Sequence, residues 1–120
     1  MENTITYVAM DTHKKQHKIA LHYPCHEEIV EFTIGNTVRD IKKMVNKIKK
    51  QAPGEVEFCY EAAVCGFTLK RRIEQFGCRC CVIAPSLVPR KPGDRVKTDR
   101  RDARKLLMMQ QAGQIGRAHV

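Results

Sequence analysis

The chain has 120 residues, with 22 Lys and Arg against 13 Asp and Glu, a formal net charge of +9, five His and six Cys. At 42% hydrophobic and 29% charged, it can build one compact core and is too apolar for a disordered tail. Its apolar runs fall far short of the ~20 residues a membrane helix needs, and its opening, MENTITYVAMD, shows no secretory pattern; a soluble, strongly basic, cytoplasmic domain with no membrane contact is expected.

Period-two alternation sets Ile5, Tyr7 and Ala9 against Thr6, Val8 and Met10 and predicts a largely buried strand over Thr4–Met10. Two further strands are predicted over His17–Tyr23 and Glu28–Ile34, joined by a hairpin turn at Pro24-Cys25-His26-Glu27. Asn36 or Thr37 can cap a helix running to about Gln51. Its apolar stripe is Val38, Ile41, Val45 and Ile48, and Lys42, Lys43, Lys47, Lys49 and Lys50 cover much of the rest. Pro53-Gly54 stops it.

A fourth strand is predicted over Glu55–Tyr60, then a helix from about Cys65 to Phe76 with Gly77 as C-cap, then a fifth strand over Cys78–Ala84. Pro85–Lys97, with three prolines and a glycine, reads as an irregular connection, and a last helix runs from about Asp99 to Gln111. This order predicts an α/β fold with a mixed five-stranded sheet and flanking helices. Three strands form an antiparallel meander, and right-handed crossovers lead to parallel strands.

Free buried thiols are the expected state of the six cysteines, since no export signal is visible. Cys78 and Cys81 have the C-x-x-C spacing of zinc and redox sites, but no second pair is well placed to complete a zinc site.

Four carboxylates stand out by position. Asp11 follows the first strand and Glu61 the fourth; if those strands pair in parallel, both emerge at the same carboxyl edge, where open α/β sheets place their ligands. Asp99 and Asp102 lie at i and i+3. At about 100° per residue they share a predicted helical face with Ala103, Leu106 and Met109, while Arg101, Arg104 and Lys105 point outward. Viewed alone, the two aspartates also suit a helix start. Converging, the four would form a hard-oxygen cluster suited to Mg²⁺ or Mn²⁺. Two such ions, roughly 3.5–4 Å apart, serve phosphoryl transfer. Residues 90–105 also hold eight basic side chains, Arg90, Lys91, Arg95, Lys97, Arg100, Arg101, Arg104 and Lys105, against three aspartates. That leaves +5 beside the acids, suited to a nucleic-acid backbone.

Three stretches carry a family resemblance: Met10-Asp11-Thr-His-Lys14, Cys59-Tyr60-Glu61-Ala62, and APSLVPRKPGDRVKTDRRDARKL from Ala84 to Leu106. Together they resemble the N-terminal domain of DEDD-type insertion-sequence transposases, relatives of the Piv DNA invertase with a RuvC-like, ribonuclease-H-type fold. The resemblance places the family's D, E, D, D tetrad on Asp11, Glu61, Asp99 and Asp102. It implies divalent-metal-dependent DNA cleavage and strand transfer, homo-oligomers of the full-length protein and, in some members, direction by an element-encoded guide RNA. Full-length members continue into a C-terminal domain supplying a serine taken to be the attacking group. Residues 1–113 are therefore expected to be the catalytic N-terminal domain, inactive in recombination by itself. Residues 114–120 are expected to be a non-native tail, since Ile115–Val120 back-translates into a common sequencing-adapter read. Alternative expectations are a non-catalytic nucleic-acid-binding module of the same fold, a structure-specific DNA nuclease and, last, a zinc or redox protein built on Cys78 and Cys81.

Overall fold

The computed structural model describes residues 4–62, 65–88, 97–99 and 101–113, with the backbone alone at 86–88 and 97–99. The elements run β1 (Thr6–Thr12), β2 (Gln16–His22), β3 (Val30–Gly35), α1 (Val38–Gln51), β4 (Val56–Glu61), α2 (Thr68–Gln75), β5 (Arg79–Ile83), β6 (Ser86–Val88), β7 (Lys97–Asp99) and α3 (Ala103–Gln111). Five strands form one sheet in the order β3-β2-β1-β4-β5. The β1–β2 and β2–β3 pairs are antiparallel, and β4 is parallel to both β1 and β5. This is the mixed five-stranded sheet expected of a ribonuclease-H-like fold.

The alternation in β1 separates two cores. Val8 and Met10 join Ile19, Leu21, Phe58, Tyr60 and Val82 in the layer covered by α1 and α2. Ala9 joins Ala20, Cys59 and Ile83 beneath Ala103, Leu106 and Leu107 of α3. The small residues on the second face let α3 lie close across β1, β2 and β4.

Local chemistry explains the helix ends. Thr37 caps α1 by accepting a hydrogen bond from the Asp40 amide at 3.1 Å. Its buried stripe is Ile41, Met44, Val45 and Ile48, whereas Val38 is 46% exposed. Val38 and Met44 stand at opposite rims of the apolar arc, and the sheet takes the Met44 side. Helix α2 starts at Thr68 rather than near Cys65. There the buried Tyr60 hydroxyl accepts from the Lys70 amide at 3.0 Å and donates to the Gly66 carbonyl at 2.6 Å. At its other end Gly77 adopts φ +90°, while the Cys78 amide reaches the Ile73 carbonyl and the Gly77 amide the Glu74 carbonyl. That paired return is the Schellman ending, which favours glycine.

The passage from β5 into the last helix differs from the sequence expectation. The connection expected to be irregular from Pro85 to Lys97 contains β6 and leads into β7, and these pair antiparallel with Ser86 opposite Asp99. The last helix starts at Ala103, so Asp99 stands on a strand and does not share a helical face with Asp102. Backbone pairing holds 97–99 extended, and Asp102 takes the cap role that either aspartate could fill. Residues 114–120, expected to be a non-native tail, lie outside the described residues.

Candidate active site

The register of β1 and β4 runs from Thr6 opposite Val56 to Met10 opposite Tyr60. Asp11 and Glu61 are the next residues on the two neighbouring strands. Both have the parity of Ala9 and Cys59, whose side chains pack beneath α3, so both carboxylates stand on the α3 face at the carboxyl edge. The parallel pairing and shared edge are therefore as expected. Their side chains are 12% and 8% exposed. The Asp11 Oδ2 lies 3.1 Å from His13 Nε2, and Lys18 is the residue opposite Asp11 on β2. As hard-oxygen donors, Asp11 and Glu61 fit Mg²⁺ or Mn²⁺ in kind.

Glu61 carries a partner that local patterning misses. Arg101 Nε donates to Glu61 Oε1 at 2.6 Å, and the Arg101 amide approaches the same oxygen at 3.3 Å. The guanidinium is held further by the Ala84 carbonyl at 3.1 Å and Met109 Sδ at 3.4 Å. Arg101 is only 10% exposed, which corrects the expectation that it points outward with Arg104 and Lys105. With the helix starting two residues later, Arg101 precedes the cap and turns under α3 toward β4.

Asp102 lies on the same side of the sheet but is exposed. It accepts from the Lys105 amide at 2.8 Å as the N-cap of α3 and lines a shallow cleft with Lys18, Glu31 and Thr33. Among the described residues, no group of three His, Cys, Asp or Glu side chains is gathered closely enough to hold a metal ion. Asp99 ends β7, whose side chains are not described.

Of the expected nucleic-acid contacts, Arg101 is turned inward onto Glu61, whereas Arg104 is half exposed and faces Glu31 at 3.9 Å, with Lys105 exposed beside it. Lys97 is placed by its backbone in β7; Arg90, Lys91, Arg95 and Arg100 lie outside the described residues. His13, one residue past the end of β1, is a further candidate that the sequence pattern does not single out.

Near this edge, on the opposite face, His17 is fully buried. Burial holds its imidazole below the ordinary 6.5. Neither ring nitrogen has a hydrogen-bond partner in good geometry among the described residues. The nearby Asn36 amide, which donates to the His13 and Lys14 carbonyls, opposes the effect of burial only in part. The cysteines are free. Cys78 packs with the α1/α2 core and Cys81 against the α3 core, as a three-residue offset along an extended chain requires, so the C-x-x-C spacing does not make one site. Burial raises the Cys59 and Cys80 thiols well above their usual range, toward the inert protonated form.

Residues 8–118 match the family model of DEDD transposases of the IS110 type, described as "Transposase". The chain is 39% identical over 111 residues, 92% of its length, to the transposase for insertion sequence element IS1533 of Leptospira borgpetersenii. It is 46% identical over 86 residues, 72% of its length, to the y4qE protein of Sinorhizobium fredii, which carries a provisional transposase name. It spans 32% and 21% of those two relatives' own lengths. With the family match running through both the Asp11 and the Glu61 strands and on through α3, the chain belongs to the DEDD transposase family.

Proposed function

We propose that residues 1–113 are the catalytic N-terminal domain of a DNA transposase, with Asp11, Glu61, Asp99 and Asp102 as its metal-binding acids. The observation that carries this reading is the parallel β1–β4 pair, which puts Asp11 and Glu61 on one face at one edge. Asp102 enters from the start of α3 on the same side, and Asp99 precedes it by three residues. Mg²⁺ or Mn²⁺, as two ions, would supply Lewis-acid stabilisation of charge at a phosphodiester. The protein's own part is to hold carboxylates at fixed strand ends and to gather the polyanion. Arg90, Lys91, Arg95, Lys97, Arg100 and Arg104 are the side chains for that last task. DNA is the substrate, a guide RNA and a second copy of the full-length protein are further partners, and the work is done in the cytoplasm. Among the described residues no helix is long and apolar enough to cross a membrane.

Metal-dependent stabilisation tests the reading. Mn²⁺ at ten times its Kd is expected to add about 1.4 kcal/mol, raising Tm by several degrees, and Asp11→Asn should abolish the gain. The Glu61–Arg101 pair favours a second reading, a nucleic-acid-binding module of the same fold without catalysis, under which Mn²⁺ leaves Tm unchanged.

A further inference from the structure

We propose that Arg101 is a built-in counter-cation for Glu61, which a divalent ion must displace before it can use that carboxylate. This inference rests on the metal-binding reading of Asp11 and Glu61. Arg101 Nε and the Arg101 amide converge on one oxygen, Oε1 of Glu61. The two side chains are 10% and 8% exposed, so the pair is largely removed from water. A carboxylate buried to this degree is costly without a cation, and the guanidinium offsets part of that cost. Its two terminal nitrogens also donate, one to the Ala84 carbonyl at the end of β5 and one to Met109 Sδ along α3. Each of the three guanidinium nitrogens of Arg101 thus has an acceptor within the fold.

A divalent ion needs lone pairs of the same carboxylate, and a second positive charge a few ångströms away repels it. Metal and arginine therefore compete. Arg101 is joined directly to Asp102, and its release would free the segment that leads into α3. Metal entry at Glu61 and the placement of Asp102 are coupled through one peptide bond. Arg101 is a positioning residue, acting through Glu61 rather than on the phosphodiester.

Calorimetric titration with Mn²⁺ at pH 7.5 compares the 120-residue chain with Arg101→Gln, Arg101→Lys and a distant charge control, Arg79→Gln. Arg79 is mostly exposed and faces Glu55 at the far edge of the sheet. Arg101→Gln is expected to bind Mn²⁺ about tenfold more tightly, with Arg101→Lys near the parent and Arg79→Gln unchanged. Equal or weaker binding by Arg101→Gln would overturn the proposal while leaving the metal reading intact. No binding by any of the four proteins removes the metal reading and this inference with it. If Arg101→Gln does not fold, the parent chain decides: the Arg101 Nε–Hε NMR signal, protected in metal-free protein, should fade along the Mg²⁺ saturation curve. A signal unchanged at saturation refutes displacement.

Discussion

At the scale of single residues, charge and burial determine what each acid does. Glu61 and Arg101 form a largely buried pair, and removing one member strands the other. Arg101→Gln should therefore destabilise the metal-free chain by roughly 3 kcal/mol, read from urea unfolding; a loss below about 0.5 kcal/mol would place the pair among surface contacts. His17 carries a different signature. Its folded-state pKa lies below 6.5 because of burial, so the unfolded chain binds the extra proton first. Stability contributed by neutral His17 is complete above pH 6.5 and declines as pH falls through that value toward the lower folded pKa. His17→Leu should flatten this decline, seen by comparing unfolding free energies at pH 8 and pH 5.5. An unchanged slope would assign the acid sensitivity to other groups.

At the scale of elements, Asp102 has two roles that one substitution can separate. It caps α3 through the Lys105 amide and is a proposed metal ligand. Asn caps about as well as Asp, whereas Ala does not. Asp102→Ala should cost about 1 kcal/mol without metal, and Asp102→Asn much less, while both should reduce the Mn²⁺-dependent gain in Tm. A gain retained in Asp102→Asn would confine Asp102 to capping. The same contrast between local and distant forces explains how much of the fold could be read in the sequence. β1, β4 and α1 announce themselves through repeated alternation or a 3.6-residue stripe, and β1 and β4 carry Asp11 and Glu61 to their edge. The passage into α3 does not. Three-residue strands such as β6 and β7 are too short to show a period, and Asp99 and Asp102 are equally good caps by type. The Glu61–Arg101 contact joins residues 40 apart, and only the packing of α3 on the sheet brings them together. A pattern that treats every arginine on a basic segment as outward-facing misses it.

At the scale of the whole molecule, the +9 charge predicts binding to DNA that weakens linearly in log K as log salt rises. Removing Arg104 or Lys105, both toward solvent at the start of α3, should lower the magnitude of that slope by about one phosphate contact each. Flat salt dependence would argue against a phosphate-backbone surface. The isolated chain is expected to bind metal and DNA yet not to complete strand exchange, and recombination products from the purified 120 residues would contradict that. The most direct measurement is anomalous diffraction from a crystal soaked in Mn²⁺. A manganese peak beside the carboxylates of Asp11 and Glu61, with Arg101 withdrawn from Glu61, is the expected result. Saturating Mn²⁺ with no peak beside either side chain would rule out their role as metal ligands.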